Sequence, residues 1–265
     1  MVWIAQISDP HLRPRGELYQ GVVDSNAALR RAVAQLNQMS PQPDFVLLTG
    51  DVVDEGMPAE YAVAREILDK LRAPLLVIPG NHDEREAFRT AFHDHSYLPE
   101  GGPLHYVADA GIARIIALDI TVPGEHHGLF DEAAETWLAL ALQSEPARPT
   151  LVMMHQPPIV TGVPYLDDYR CFGKTRMEAL IARHPQVARV LCGHVHRLML
   201  QGFAGTMLCT APSLATAIAL GAGAEAEPAS FLEPPGFLLH HVPEVGPILT
   251  HFIPLGVLPG PFDFA

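Results

Sequence analysis

Short apolar runs alternate with longer segments of helical periodicity along the first half of the chain. The pattern predicts buried strands at residues 2–8, 45–49 and 75–79. Between the first two, it predicts a helix that begins at Asp24 or Ser25 and ends near Met39. A second helix is expected at 58–71, with proline in its first turn. Two consecutive strand–helix units of an α/β protein follow from this order.

The second half of the chain is richer in strands than in helices. Strands are predicted at residues 104–107, 112–118, 151–154 and 187–192, and helices at 131–142 and 175–183. A loop rich in Pro, Gly and Tyr is expected at 156–173. Later runs at 198–203, 207–210, 237–242 and 248–253 indicate antiparallel strands. The small-residue segment 214–228 is either a loop over a site or a weak helix.

Length and composition indicate the number of domains and the role of the cysteines. With 265 residues, of which 48% are hydrophobic, the chain can bury a substantial core, and a single domain covering 1–265 is expected. Its C-terminal strands and loop, about 198–265, are predicted to complete a second sheet and to cap the site. Three separate cysteines, Cys171, Cys192 and Cys209, form no CxxC pair and indicate no disulfide framework.

Charge and hydropathy exclude two classes of partner. The formal charge of −13, with only 17 Lys and Arg, leaves no basic stripe for a nucleic-acid polymer. No apolar run reaches the length of a membrane span, and the N-terminus lacks the pattern of a secretory signal. A cytoplasmic protein that binds no membrane is therefore predicted.

Five polar clusters directly follow predicted strands, where open α/β sheets hold their ligands. They are Asp9-Pro10-His11, Gly50-Asp51-Val52-Val53-Asp54, Gly80-Asn81-His82-Asp83, His155 and Gly193-His194-Val195-His196. Taken alone, each is ambiguous, because Asp9 or Asp51 could serve a turn and Asp54 could cap a helix. Taken together, they indicate a site of oxygen and nitrogen ligands in which a carboxylate such as Asp51 could bridge two cations.

Four of these stretches also carry a family resemblance. They are ISDPHL at 7–12, TGD at 49–51, PGNHDER at 79–85 and CGHVHR at 192–197. Across about 4–197, the chain resembles calcineurin-like metallophosphoesterases, and within them the class III cyclic-nucleotide phosphodiesterases and their glycerophosphodiesterase relatives. The resemblance implies a four-layer α-β-β-α sandwich with two mixed sheets flanked by helices.

The resemblance also implies roles for single residues. Asp9, His11 and His196 would hold one metal, Asp51 would bridge, and Asn81, His155 and His194 would hold the second. His82 would bind no metal but would lie near the substrate phosphate, and Asp54 would orient neighbouring groups. Every ligand atom is N or O, which suits iron, manganese, cobalt or zinc by ligand type without choosing among them. Two metal ions are expected, with iron or manganese as the pair and zinc or cobalt also compatible.

Two positions depart from the subgroup pattern. The stretch His155-Gln156-Pro157-Pro158 has Gln156 where the subgroup usually has a second histidine, so substrate contacts or the handling of the leaving group could differ there. Asp167, in Tyr165-Leu166-Asp167-Asp168, lies where the subgroup often has Met-Asp, which implies a contact with the substrate.

The implied activity is hydrolysis of a small phosphodiester, either a 3′,5′-cyclic nucleotide or a glycerophosphodiester, by a hydroxide that bridges the metals. A broad phosphomonoesterase or nucleotidase is the nearest alternative. A non-catalytic scaffold of the same fold is an alternative of another class, but it predicts eroded ligands, and all seven are present. A homo-oligomer, a dimer or larger, is also expected from the family.

Overall fold

Two large β-sheets form the centre of the computed structural model, which describes residues 1–221, 228–256, 259–260 and 262–263. The strands are β1 (Val2–Ile7), β2 (Phe45–Thr49), β3 (Leu75–Ile78), β4 (Tyr106–Ala110), β5 (Ala113–Ala117), β6 (Gly128–Leu129), β7 (Thr150–Met153), β8 (Cys171–Phe172), β9 (Val187–Cys192), β10 (Met199–Phe203), β11 (Thr206–Thr210), β12 (Ala217–Ile218), β13 (Ser230–Phe231), β14 (Gly236–Val242) and β15 (Leu249–Pro254). The helices are α1 (Ser25–Gln38), α2 (Pro58–Leu68), α3 (Arg85–Ala91), α4 (Glu132–Ser144), α5 (Pro164–Asp167) and α6 (Lys174–Ile181).

Both large sheets are mixed. The five-stranded sheet has the order β15-β14-β1-β2-β3, in which β1, β2 and β3 are parallel and β14 runs antiparallel to β1. The six-stranded sheet has the order β10-β11-β9-β7-β5-β4, with β11, β9, β7 and β5 parallel. The predicted α/β class with two mixed sheets is confirmed.

Side chains that alternate in direction along each strand divide the apolar core into layers. In β1, Ile4 belongs to a buried cluster shared with the other sheet, whereas Ala5 and Ile7 belong to a cluster with the side chains of α1 and α2. In β7, Leu151 packs in the cluster between the sheets and Val152 packs towards α4 and α6. Because successive side chains of a strand point to opposite faces, each sheet is covered on both sides.

The C-terminal strands divide between the two sheets, contrary to the expectation that they would complete the second one. β10 and β11 join the six-stranded sheet, but β14 and β15 extend the five-stranded sheet beside β1. The burial of β14 accounts for this position, since Phe237 packs with the helical layer and Leu238 packs between the sheets. A strand that is apolar on both faces requires an inner place in a sheet.

Two further elements differ from the prediction. Helix α3 was not expected, because its seven residues include a single buried side chain, Phe88, and show no periodicity. Strand β4 begins at Tyr106, later than expected, because the Leu104 amide donates to Oδ2 of Asp119 (2.9 Å). The segment 214–228 lies partly outside the described residues, and its described part includes β12. Within the described part of the chain, no helix has the length and apolar character needed to cross a membrane.

A buried polar bridge joins the two sheets near the ends of their central strands. The Gln6 amide in β1 donates to the Cys192 carbonyl in β9 (2.9 Å) and to Oγ1 of Thr49 (3.1 Å). Nε2 of His240, in β14, lies 3.1 Å from the Gln6 side-chain oxygen, and its Nδ1 lies 2.9 Å from Oγ1 of Thr250. Every polar atom of these two side chains therefore has a hydrogen-bond partner.

This arrangement predicts an acid-sensitive contribution to stability. Burial lowers the pKa of His240 to about 3, from about 6.5 in an unfolded chain. The unfolded state therefore binds the proton first, and stability is lost as the pH falls from about 6.5 towards 3. In urea denaturation, the stability difference between wild type and His240→Gln should shrink by up to about 1.4 kcal/mol per pH unit in this window.

The control for this measurement is His251→Gln, in which an exposed histidine of β15 receives the same substitution. Its stability should follow the wild type in parallel across the pH range. A parallel pH dependence for His240→Gln would contradict the assignment of a neutral, buried ring.

Candidate metal centre

The carboxyl ends of five parallel strands meet at one edge of the sandwich. The loops that follow β1 and β2 are joined there by backbone hydrogen bonds: the Asp9 amide donates to the Gly50 carbonyl (3.2 Å), and the His11 amide donates to the Asp51 carbonyl (3.1 Å). In the other sheet, the amide of Gly193 donates to the carbonyl of His155 (3.0 Å). The amide of His194 donates to Oδ1 of Asp9 (3.0 Å), and the amide of His82 donates to Oδ1 of Asp51 (2.9 Å). All five predicted clusters are thereby brought together, as expected for loops at the carboxyl edge.

Asp9, His11 and His196 form the first group of potential ligands. One ligand atom from each residue lies within 4.8 Å of the others, and all three side chains are buried. Nε2 of His11 and Nε2 of His196 are only 3.0 Å apart, and Nε2 of His196 is 3.5 Å from Oδ1 of Asp9. Two imidazole nitrogens at this separation repel each other unless a proton or a cation lies between them, so the group fits a metal ion.

Asp51, His155 and His194 form a second group with the same mutual separation. Oδ2 of Asp51 lies 3.2 Å from Nε2 of His155. The same oxygen is 3.6 Å from Nε2 of His11, a member of the first group. Asp51 therefore stands between the two groups, where one carboxylate can serve two cations.

The imidazole rings are oriented by backbone carbonyls. Nδ1 of His155 donates to the Thr49 carbonyl (2.7 Å), and Nδ1 of His196 donates to the Thr216 carbonyl (2.9 Å). The proton is thus on Nδ1, and Nε2 of each ring keeps its lone pair for a metal. Nε2 of His194 is buried and has no hydrogen-bond partner in the described structure. Buried imidazole nitrogens whose lone pairs receive no hydrogen bond are typical of metal ligands.

Electrostatics keep two of the potential ligands, Asp51 and His194, in the protonation states that a cation requires. Burial alone would raise the pKa of Asp51, but the facing rings of His155 and His82 outweigh it and hold this pKa well below its usual range. Burial, supported by the neighbouring His155, lowers the pKa of His194 to about 3, so its ring is neutral at pH 7. An ionised carboxylate and a neutral imidazole are the forms that bind metal.

Five of the predicted ligands have a left-handed backbone, which is uncommon for residues other than glycine. They are Asp9, His11, Asp51, His194 and His196, with φ between 45° and 70°. Hydroxyl groups hold the first two, because Oγ of Ser213 donates to the Asp9 carbonyl (2.7 Å) and Oγ of Ser25 donates to the His11 carbonyl (2.9 Å). Strain of this kind concentrates at functional sites, where it turns a side chain out of its strand direction.

His82 and Asp54 lie together beside the first group, as the sequence predicts. Nδ1 of His82 donates to the Asp54 carbonyl (2.7 Å), and Oδ1 of Asp54 is 3.5 Å from Nδ1 of His82 and from Nδ1 of His11. The guanidinium of Arg13 donates to Oδ2 of Asp54 (3.0 Å) and to the buried Glu60 (3.1 Å). Asp54 is therefore fixed between two rings by a cation on its far side.

Asn81 contacts the side chains of His126 and Gln156. Its Nδ2 lies 3.3 Å from Nδ1 of His126, and its Oδ1 accepts from Nε2 of Gln156 at 3.5 Å. Gln156 is fully buried and also donates to the His126 carbonyl (3.1 Å). Gln156 therefore lies behind Asn81 and is not among the residues that line the cavity over the ligands.

Asp167 also lies away from that cavity. Its Oδ1 accepts hydrogen bonds from the amide (2.6 Å) and the hydroxyl (2.8 Å) of Thr161, so the carboxylate shapes its own loop. The neighbouring residues Tyr165 and Tyr169 line the cavity instead. The carboxylate of Asp167 is thus occupied by a turn, and its predicted role as a substrate contact has no support from the geometry.

Sequence reasoning gave no role to Asp83, which ties two ligand loops together. Its Oδ2 accepts from the amides of Gly80 (2.9 Å) and Val52 (3.1 Å), and its Oδ1 accepts from the hydroxyl of Tyr61 (2.9 Å). The loop that carries Asn81 is thereby held against the one that carries Asp51. The position of Asp83 next to His82 was visible in the sequence, but its backbone partners were not.

A cavity of about 370 Å³ opens above the ligand groups. Its walls include three tyrosines that no motif indicated, Tyr19, Tyr165 and Tyr169, together with Ser230 of β13. The ring of Tyr19 stacks on that of His11, with centroids 4.6 Å apart. The cavity thus joins the ligand groups to an aromatic mouth large enough for a small organic phosphate.

This geometry agrees with what sequence comparison finds. Residues 2–198 match the profile of calcineurin-like phosphoesterases. The chain belongs to the calcineurin-like phosphoesterase family. The family prediction made from the four motif stretches is therefore confirmed, and the fold of this family implies a dinuclear metal centre for which the two ligand groups are the candidates.

Relatives of this phosphoesterase carry the names of phosphodiesterases. A probable glycerophosphodiester phosphodiesterase of Arcobacter nitrofigilis is 32% identical over 98% of this chain and 96% of its own length. A probable cyclic nucleotide phosphodiesterase of Synechococcus is 34% identical over 80% of both chains. Among solved structures, a dimetal phosphatase from Danio rerio superposes with a TM-score of 0.66 at 15% identity, covering 94% of this chain and 98% of that one, which supports the fold.

Proposed function

We propose that this phosphoesterase is a metal-dependent phosphodiesterase that hydrolyses a small phosphodiester, a 3′,5′-cyclic nucleotide or a glycerophosphodiester. The observation that carries the proposal is the pair of buried ligand groups that share Asp51 beneath an open cavity. The relatives named for glycerophosphodiesters and cyclic nucleotides support the substrate class.

The proposed ligand assignment follows the two groups. Asp9, His11 and His196 would hold one metal, Asp51 would bridge, and Asn81, His155 and His194 would hold the other. All ligand atoms are oxygen or nitrogen, a set that suits iron, manganese, zinc or cobalt, and we expect iron or manganese as the pair. Asn81 supports the second position because it borders the cavity beside His194.

Two cations supply charge neutralisation for a phosphoryl group and lower the pKa of a water molecule when they are bound. The side chains of this protein contribute position and charge. His82 lines the cavity, with Nδ1 committed to the Asp54 carbonyl, so its other nitrogen can meet the phosphate or the leaving oxygen. Asp54, which is held by Arg13, keeps the rings of His82 and His11 in place.

The lining of the cavity favours a diester over a monoester. Among the described residues that line it, none is Lys or Arg, and the guanidinium of Arg13, beside Asp54, is engaged by carboxylates. A diester carries one negative charge and a monoester carries about two near pH 7. Because no side-chain cation balances the second charge, activity as a phosphomonoesterase or nucleotidase is the less favoured hypothesis. The intact ligand set argues against a non-catalytic scaffold.

A rate panel joined to metal analysis tests the proposal. The purified protein should contain about two metal ions per chain. It should hydrolyse bis-(p-nitrophenyl) phosphate at least about 10-fold more efficiently than p-nitrophenyl phosphate, a difference of about 1.4 kcal/mol in transition-state stabilisation. Cyclic AMP and glycerophosphodiesters then separate the two candidate substrates. A preference for the monoester would exclude a phosphodiesterase.

Three features stay predictions of the sequence. They are a single domain spanning 1–265, a cytoplasmic location and assembly into a homo-oligomer. Size-exclusion chromatography with light scattering measures the last, and limited proteolysis measures the first.

A further inference from the structure

Gln20 occupies a turn position that its residue type does not favour. The amide of Val22 donates to the Tyr19 carbonyl (3.0 Å), and the two central residues of the turn, Gln20 and Gly21, have φ of 50° and 71°. Turns with two left-handed central residues strongly favour Gly, Asn and Asp. A glutamine here costs on the order of 1 kcal/mol relative to glycine, so its side chain must supply something else.

The side chain of Gln20 connects two walls of the cavity. Its Nε2 donates to the hydroxyl oxygen of Tyr19 (3.1 Å), whose ring stacks on His11. Its Oε1 accepts from the hydroxyl of Ser230 (3.0 Å), in the short sheet formed by β12 and β13. An asparagine, one methylene shorter, would have less reach for this span, which accounts for a glutamine in a position that favours smaller residues.

The sheet of β12 and β13 is the wall that Gln20 reaches. Ile218 of β12 and Ser230 of β13 both line the cavity. On other sides, the hydroxyl of Tyr165 donates weakly to the carbonyl of Ala229 (3.5 Å), and the guanidinium of Arg197 donates to the carbonyl of Ile218. The hydrogen bond from Ser230 to Gln20 fixes the distance of this sheet from Tyr19.

We propose that Gln20 is a specificity-determining positioning residue, which holds Tyr19 and the β12–β13 sheet at a fixed separation and thereby limits the size of the alcohol group that the cavity admits. The inference rests on the proposed phosphodiesterase function and deepens it. It places the selection of substrates at the mouth, away from the ligand groups that act on the phosphate.

The test compares a slim and a bulky diester, methyl p-nitrophenyl phosphate and bis-(p-nitrophenyl) phosphate, in the metal-loaded enzyme. Gln20→Gly removes the side chain and also relieves the turn, so folding is preserved. Ser230→Ala removes only the hydroxyl. Each variant should raise kcat/KM for the bulky diester relative to the slim one by about 2- to 10-fold, the effect of one net hydrogen bond. The change should lie in KM, with kcat and metal content unaltered.

A double variant and a matched control separate specificity from structure. Because Gln20→Gly already removes the acceptor of the Ser230 hydroxyl, the double variant should shift selectivity no further than Gln20→Gly alone. Ala204→Gly relieves the same backbone strain in the turn between β10 and β11, where Ala204 and Gly205 also have positive φ. This control variant should leave selectivity unchanged. Unaltered selectivity in both single variants, or additive effects, would overturn the proposal. Absence of diester hydrolysis in the wild type would instead overturn the proposed function itself.

Discussion

Replacing Asp51 with asparagine should reduce kcat for diester hydrolysis on the order of 1,000-fold. The Asp51 carboxylate lies 3.2 Å from Nε2 of His155 and 3.6 Å from Nε2 of His11, so its charge serves both ligand groups. Asparagine keeps an oxygen that can accept from the His82 amide, as Oδ1 of Asp51 does at 2.9 Å. The substitution therefore removes charge with little change of shape, and bound metal should fall from about two ions per chain to one or fewer.

Asp44→Asn is the matched control for this experiment. Asp44 is exposed and accepts a hydrogen bond from the Trp3 amide (2.7 Å) at the opposite end of the strands, a bond that asparagine can also accept. Its rate and metal content should equal those of the wild type. Full activity of Asp51→Asn in protein stripped of metal would refute both the bridging role and the metal-dependent mechanism.

Adding one methyl group at Gly193 should be nearly as damaging, although this residue provides no ligand atom. A Cβ there would lie 2.7 Å from Oδ2 of Asp9 and 2.7 Å from the Thr49 carbonyl, and still closer to Oγ of Ser8. Two of these contacts are with backbone or with a fixed ligand, so the loop that carries His194 and His196 has to move. Displacement of catalytic groups by about 1 Å can cost about 100-fold in rate, and Gly193→Ala should lose at least that much.

Gly202→Ala provides the comparison for Gly193→Ala. Gly202 lies in β10, and a Cβ added to it meets nothing within 4 Å. Calorimetry and metal analysis on both variants should show lowered metal affinity and lowered Tm for Gly193→Ala alone. Metal content and rate at wild-type levels in Gly193→Ala would show that the loop can shift without cost, and would contradict the tight packing around Asp9.

The sequence could indicate the ligand groups because each lies where a buried strand ends. The runs that became β1, β2, β3, β7 and β9 are mainly apolar, with Gln6 and Arg189 among the exceptions, so the polar cluster after each one is conspicuous. Parallel strands then bring such residues to one edge without any information about side-chain contacts. The same logic failed for β14 and β15, because two sheets were both able to accept an apolar strand and no local signal chose between them.

The mouth of the cavity could not be predicted in the same way. Tyr19 and Ser230 are 211 positions apart in the chain and meet only through the side chain of Gln20, so no local pattern marks them. Gln156 was identified as a departure from the family, but the sequence did not show that it is buried behind Asn81. Such placements depend on loop paths, which follow from tertiary packing and not from periodicity.

The distance along the chain between the ligands has a consequence for biosynthesis. The amide of His194 donates to the carboxylate of Asp9 across a separation of 185 residues. The early ligands therefore leave the ribosome well before their partners exist, and translation at about 5–20 residues per second makes that interval on the order of ten seconds or more. Neither ligand group is complete until His194 and His196 have been synthesised, so the full metal centre can form only after most of the chain has left the ribosome.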